Sequence, residues 1–169
     1  GYVQRSTDKL GHVSVTSWAG ENDDRGLLAA FDETTTDDRG NVTHKVQEDI
    51  TYDAAGRNAT FRQTVTDPLN TVTVTERRGT GYNDAGLMAE VVENTVATDA
   101  AGVRTETLSN QKPILFDSTG HVTQRHEEAY TSIFDENGVL VRESNKSTDM
   151  TGGRYNALGQ SIQYHQLAI

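Results

Sequence analysis

The side chains of this chain that could carry out chemistry are mostly carboxylates, and they recur in one pattern. At eleven non-overlapping places an Asp or Asn is followed three residues later by a Gly or, once, by Asn. A lone carboxylate can serve as a general acid or base, or as a ligand for a hard cation such as Ca²⁺. At the first position of a turn, however, Asp accepts hydrogen bonds from the backbone, and Gly at the fourth position adopts positive φ without steric cost. This four-residue pattern, here called the cassette, therefore indicates turns.

Ten cassettes are predicted to be type I turns that end in a Gly bulge and join antiparallel strands. Their first and fourth residues are Asp8 and Gly11, Asp23 and Gly26, Asp37 and Gly40, Asp53 and Gly56, Asp67 and Asn70, Asn83 and Gly86, Asp99 and Gly102, Asp117 and Gly120, Asp135 and Gly138, and Asn156 and Gly159. Asn70 fits because Asn is the residue that next best tolerates the left-handed conformation. The eleventh cassette, Asp149-Met-Thr-Gly152, lies too close to Asn156 for a full strand between them. We expect a bulge, a tight bend or a lost turn there.

No group of side chains in the sequence predicts a catalytic or metal centre. The densest acidic cluster comprises Asp23, Asp24, Asp32, Glu33, Asp37 and Asp38. It could hold Ca²⁺ if oxygens from adjacent turns converged, but we prefer the interpretation that each turn Asp caps its own turn. The five histidines have no metal-binding spacing and are expected to be solvated cross-strand partners. Many carboxylate pairs on a sheet would meet the roughly 5–10 Å separation of a glycosidase, and nothing selects one. We therefore predict no enzyme, no cofactor and no metal.

The segments between cassettes have the composition of strands. Most are 10 to 14 residues long and rich in Thr and Val, as in Thr71-Val-Thr-Val-Thr75, and β-branched residues suit a pleated surface. Residues 87–94 have helical propensity, but their position between two cassettes predicts a strand. The regular spacing indicates a repeat array. We predict an all-β fold over residues 1–169, an antiparallel β-hairpin array in one extended or spiralling sheet, with about 30 residues per two-strand unit.

The residue before each cassette divides the turns into two kinds. Thr precedes the cassettes that begin at Asp8, Asp37, Asp67, Asp99 and Asp149. An aromatic residue precedes five others: Tyr52 before Asp53, Tyr82 before Asn83, Phe116 before Asp117, Phe134 before Asp135 and Tyr155 before Asn156. Successive turns of a meander lie on opposite edges of the sheet. The sequence thus predicts one edge lined by aromatic turns and one lined by threonine turns, with a slip in the alternation between Asp117 and Asp135.

Composition limits the partners and the location. Hydrophobic residues make up 34% of the chain, below the roughly 45–50% usual for globular domains, so the core must be thin. The net charge of −10 makes nucleic acid an unexpected partner. No apolar run is long enough to cross a bilayer. The absence of Cys excludes disulfides and thiolate sites. We expect an extracellular or cell-surface protein, and the chain ends suggest a fragment of a longer one.

Two segments resemble a known repeat. Thr51-Tyr-Asp-Ala-Ala-Gly-Arg57, followed by Val65-Thr-Asp-Pro-Leu-Asn70, closely resembles the YD repeat of bacterial Rhs proteins and the related animal teneurins, and Arg154-Tyr-Asn-Ala-Leu-Gly-Gln160 is similar. The resemblance implies a long spiralling β-sheet, which in several family members forms a hollow shell around a toxin or other cargo. This chain has longer strands and lacks the self-cleaving core that closes such shells.

These observations lead to a functional expectation with two alternatives. We expect a non-enzymatic structural or adhesive segment of a large bacterial surface or secreted protein that self-associates through its sheet edges and can assemble into a filament. The first alternative is a part of an Rhs-type shell that encloses a toxin. The second is a carbohydrate-binding module, for which Trp18, the sole tryptophan, is the candidate ligand platform.

Overall fold

The computed structural model describes residues 1–156 and 161–168, which form a single antiparallel sheet of eleven strands. Within these residues there is no helix, and none therefore that could span a membrane. The strands are β1 (Tyr2–Thr7), β2 (Val13–Asn22), β3 (Leu28–Asp37), β4 (Val42–Tyr52), β5 (Asn58–Thr66), β6 (Val72–Tyr82), β7 (Met88–Thr98), β8 (Arg104–Phe116), β9 (Val122–Phe134), β10 (Leu140–Tyr155) and β11 (Ser161–Ala168).

The order of strands in space is their order in the chain. Each strand pairs with the strand before it and the strand after it, and in the described part of the chain strands that are not neighbours in sequence make no contacts. The sheet is therefore one open layer of successive hairpins. This confirms the predicted all-β hairpin array, including the strand predicted over residues 87–94.

The core is as thin as the composition predicted. Among the described residues, the buried hydrophobic side chains are Ile50, Val91 and Ile114. A single layer has no second sheet to cover it, so most side chains on both faces remain partly exposed. Cross-strand pairs therefore supply much of the stabilisation. One neutral polar ladder crosses seven strands through Gln47, Gln63, Thr75, Thr95, Thr107, Thr131 and Ser144.

The eleventh cassette is not a turn. Residues Asp149–Gly152 lie inside β10, which continues to Tyr155, and the pairing of β10 with β11 is shifted between Thr151 and Arg154. The expectation of a bulge or a lost turn is thus confirmed. The Asn156 cassette extends into residues 157–160, so the predicted turn at Asn156 and Gly159 lies outside the described residues.

The two kinds of turn lie on opposite edges. Turns at Asp8, Asp37, Asp67 and Asp99 share one edge, and each follows a Thr; this is the threonine edge. Tyr52, Tyr82 and Phe116 end their strands at the other edge, here the aromatic edge, where Tyr155 also lies. Because Asp149 forms no turn, the slip in the alternation reduces to Phe134, an aromatic residue on the threonine edge. The turn at Asp23 lies on the aromatic edge but is preceded by Asn22, which is not aromatic.

Hairpins that turn at the threonine edge separate towards the aromatic edge. Pairing of β3 with β4 ends at Phe31 and Gln47, and pairing of β5 with β6 ends at Phe61 and Arg77. Beyond that point strands β4, β6, β8 and β10 each carry a bulge against the following strand. Bulges bend and twist a strand locally, so this distortion recurs once per two-strand unit.

Gly56 tests the requirement for positive φ. Its φ is +78°, and a Cβ added there would touch no other atom, so any destabilisation of Gly56→Ala comes from backbone strain alone. We expect a loss of about 1–2 kcal/mol, measured by urea unfolding. The matched control is Gly79→Ala, which also has open space but lies in a strand without positive φ; its stability should change by less than about 0.5 kcal/mol. Equal effects of the two substitutions would contradict the assignment.

Candidate functional site

The carboxylate of each described turn Asp accepts backbone hydrogen bonds from its own turn. In the nine described turns the fourth residue donates its N–H to the carbonyl oxygen of the first at 2.9–3.1 Å, and the first donates to the carbonyl of the residue after the cassette at 2.7–3.0 Å. The Oδ1 of Asp53 accepts the N–H groups of Ala55 and Arg57, both at 2.9 Å. The other turn Asp residues repeat this geometry, and Asn83 accepts one such bond, from Leu87.

These hydrogen bonds lower the pKa of several turn carboxyls. The Thr119 hydroxyl and the backbone N–H of His121 hold the pKa of Asp117 at about 2. The pKa is also lowered for Asp8 and Asp23, chiefly by the backbone N–H groups of His12 and Leu27. Hydrogen bonds favour the ionised form of a carboxyl. Such groups stay charged at neutral pH and hold no proton to deliver, so they are poor general acids.

The fold disperses the dense acidic cluster. Asp23 and Asp37 cap turns on opposite edges, each through its own backbone. Asp32 and Glu33 are successive residues of β3 and point to opposite faces, because side chains alternate along a strand. In residues 1–156 and 161–168 no three His, Asp or Glu side chains converge as metal ligands would. The sequence cluster is therefore a consequence of two turns and one strand.

Four of the five histidines contact an Asp. His44 Nε2 lies 2.9 Å from Asp32 Oδ2 on the neighbouring strand, and His126 lies across the strand from Asp149. His12 and His121 contact the Asp of their own turns. The expected cross-strand role thus holds for His44 and His126, whereas His12 and His121 belong to turns.

Tyrosines at the aromatic edge bridge the strands where the hairpins separate. The hydroxyls of Tyr52, Tyr82 and Tyr155 donate to the carbonyl oxygens of Leu28, Asn58 and Val122, at 2.8, 2.6 and 2.9 Å. Each acceptor is the second residue after the Gly of the previous turn on that edge, where no ladder pair is formed with the tyrosine's strand. One sequence feature is consistent with this role: Tyr precedes three of the four aromatic cassettes on this edge, and Phe116 precedes the other.

The same rings are covered by the preceding turn. The Arg57 guanidinium lies 4.3 Å from the centroid of the Tyr82 ring, and the His121 ring stacks on Tyr155 at 4.4 Å. A cation over a ring face is attracted by the ring quadrupole. Each contact covers one face of a ring and joins the aromatic edge to the preceding turn on that edge.

Trp18 lies in a row of three stacked rings. Tyr2 on β1 and Phe31 on β3 flank it, with centroids 5.6 and 6.1 Å from the indole. The indole also lies over Gly20, where any Cβ would collide with it, and Lys45 caps the row beyond Phe31. Both faces of Trp18 therefore have protein neighbours, and a ligand at this place would meet ring edges and the half-exposed Tyr2 ring. Its role as a ligand platform stays a prediction.

Comparison with known proteins assigns no family. No protein-family model matches the sequence, and no curated protein is significantly similar to it.

The tyrosine bridge can be tested in both directions. Tyr82→Phe removes the hydroxyl bonded to Asn58 and should lower the free energy of unfolding by about 0.5–1.5 kcal/mol. Phe116→Tyr adds a hydroxyl at the one turn of the aromatic edge whose aromatic residue lacks it. By the pattern of the other three, its acceptor should be the carbonyl of Met88, the second residue after the Gly of the preceding turn on that edge, and stability should rise. Tyr130→Phe is the control, because its exposed hydroxyl makes no hydrogen bond among the described residues. Chemical denaturation measures all three. Unchanged stability in both Tyr82→Phe and Phe116→Tyr would contradict the proposed bridge.

The low pKa of Asp117 predicts an acid limit to stability. A carboxyl whose pKa is lower in the folded chain stabilises the fold above its unfolded pKa, and that contribution is lost as pH falls to the folded pKa. For Asp117 the window runs from the ordinary value of 3.8 down to about 2. Thr119→Val removes the strongest bond to this carboxylate, so the Asp117 pKa, followed by carboxyl NMR titration, should rise towards 3.8. An unchanged titration would refute this cause.

Proposed function

We propose that this chain is a non-enzymatic structural or adhesive repeat segment of a large bacterial surface or secreted protein. One observation carries the proposal. The protein is a single open layer in which each strand contacts only its neighbours in the chain. Such a layer offers length and a repeated surface. Its turn carboxylates accept backbone hydrogen bonds, as Asp53 does, whereas a catalytic carboxylate would have to be free to react.

The mechanical argument follows from the ladders. Each added hairpin brings its own turn bonds and two sets of backbone hydrogen bonds, so the array lengthens without needing a larger core. Backbone groups held in ladders are also poor protease substrates, because cleavage requires local opening. A role at the cell surface agrees with a Cys-free, acidic chain and with the resemblance to YD-repeat proteins.

Self-association through sheet edges is part of the proposal. β1 and β11 each pair on one side only in the described part of the chain, and unpaired backbone groups on a strand edge are a template for another strand. The backbone N–H of Asp8 donates to the carbonyl of His12 on the β2 side, and the direction of the backbone groups alternates along a strand. In β1 the backbone N–H and C=O groups that point away from β2 are therefore those of Val3, Arg5 and Thr7. A second copy of the chain, or a glycan surface, is the proposed partner.

Arg5→Pro tests edge pairing. Proline removes an outward N–H while leaving the bonds of β1 to β2, a position where edge strands tolerate it. The unchanged chain should form longer particles with rising concentration in negative-stain microscopy and sedimentation, and Arg5→Pro should reduce them. Arg5→Ala is the matched control, because it removes the same charge but keeps the N–H. Monodisperse monomers of the unchanged chain at every concentration would count against self-association.

A further inference from the structure

One cassette has the residues of a turn but the conformation of a strand. Asp149-Met-Thr-Gly152 follows a Thr, as the turns of the threonine edge do, and Gly152 already has a φ of +68°, near the 78–87° of the turn glycines. Nevertheless β10 continues through it, with pairs to both β9 and β11. Local sequence therefore encodes one structure here, and the sheet imposes another.

The carboxylate of Asp149 differs from the turn carboxylates in its partner. In the turns, Oδ1 accepts the N–H groups of the residues two and four positions later, which for Asp149 would be Thr151 and Gly153. Instead, Asp149 Oδ1 lies 2.7 Å from Nδ1 of His126, its direct partner on β9. The histidines bonded to turn carboxylates, His12 and His121, belong to the same turns as those carboxylates.

We propose that His126 acts as a conformational selector: by holding the Asp149 carboxylate across the strand pair, it keeps residues 148–153 in the strand and prevents the turn that their sequence encodes. When His126 releases Asp149, the carboxylate caps its own turn and β10 divides at this point. The inference does not depend on the proposed function.

Such a division would affect β11 first. Thr148 and Asp149 pair with Ala168 and Leu167, and in the described part of the chain β11 has no neighbour except β10. A turn at residues 149–152 removes these pairs. Release of Asp149 therefore exposes the edge of β10 and frees the last strand.

The charged groups around His126 make the selector sensitive to pH. On its own strand Glu128 Oε1 lies 3.7 Å from Nε2, and on β10 Asp149 faces Nδ1. On β8 the bulge residues Lys112 and Pro113 lie opposite, with Lys112 bound to Glu90. His165, on β11, pairs with Thr151 beyond Asp149. Arg125 and Glu127 lie on the opposite face of β9 by alternation.

Protonation strengthens the hold on Asp149. The hydrogen bond to Asp149 raises the pKa of His126 above its ordinary value of 6.5. A group with a raised pKa contributes its full stabilisation below the unfolded pKa and loses it as pH rises through the folded pKa. The strand form is thus favoured at mildly acidic pH and weakened above neutrality.

Hydrogen exchange tests the selector directly. In the unchanged chain, the opening equilibrium of amides 148–155 and 161–168, corrected for intrinsic exchange, should rise between pH 5.5 and 8. In His126→Gln at pH 5.5 it should rise about fivefold, the scale expected for a partly exposed charged pair. His44→Gln is the matched control, since it breaks a similar His–Asp bond whose Asp32 begins no cassette. It should leave residues 148–168 unchanged.

Variants of Asp149 separate the selector from a simple loss of one bond. Asp149→Asn keeps a side chain that can cap a turn, as Asn83 does, so it should open residues 148–168 as His126→Gln does. Asp149→Val removes the side chain that would cap the turn. The double variant Asp149→Val with His126→Gln should therefore regain the hydrogen-exchange protection of residues 148–168 that His126→Gln alone loses. The proposal is overturned if the double variant opens as much as His126→Gln, if His126→Gln shows no opening, or if opening does not change with pH.

Discussion

The hydrogen bonds from backbone N–H groups to the turn Asp carboxylates are the interaction on which this structure depends. A single sheet layer has almost no interior, so it cannot rely on burial to fix the path of the chain. Each turn Asp instead fixes five consecutive residues, which sets the register of both flanking strands. Because a slip of one residue would exchange the two faces of a strand, these bonds also decide which side chains share a face.

A second set of interactions, the hydrogen bonds of the tyrosine hydroxyls, joins the strands where their backbone pairing ends. Hairpins that close at the threonine edge separate at the aromatic edge, where Leu28 and Asn58 form no ladder pair with the strand of the tyrosine. Tyr52 and Tyr82 supply hydroxyl donors at that place, and Arg57 from the preceding turn covers the Tyr82 ring. The bulges of β4, β6, β8 and β10 lie in the same region. The two-strand repeat is therefore marked by a tyrosine bridge and a bulge near the aromatic edge as well as by its two turns.

The energetics of such a layer are distributed. With three hydrophobic side chains buried among the described residues, Ile50, Val91 and Ile114, loss of one contact should affect mainly its own and adjacent strands, as in other repeat arrays. The polar ladder from Gln47 to Ser144 adds cross-strand stabilisation without apolar surface. This arrangement suits a protein whose proposed task is extension rather than catalysis, and it places the Asp149 region, where turn and strand compete, next to the last described strand.

The sequence by itself determined the nine described turns, the strands between them and the two kinds of edge, because a turn is decided by side chains within five residues of each other. It also predicted that residues 87–94 form a strand. Only the tertiary structure decided which of the expected irregularities occurs at Asp149, that tyrosine hydroxyls bridge separated hairpins and that Trp18 stacks between Tyr2 and Phe31. Each of these depends on a partner from another strand, as His126 does for Asp149, and such a partner is set by register across the sheet, which local residue patterns do not encode.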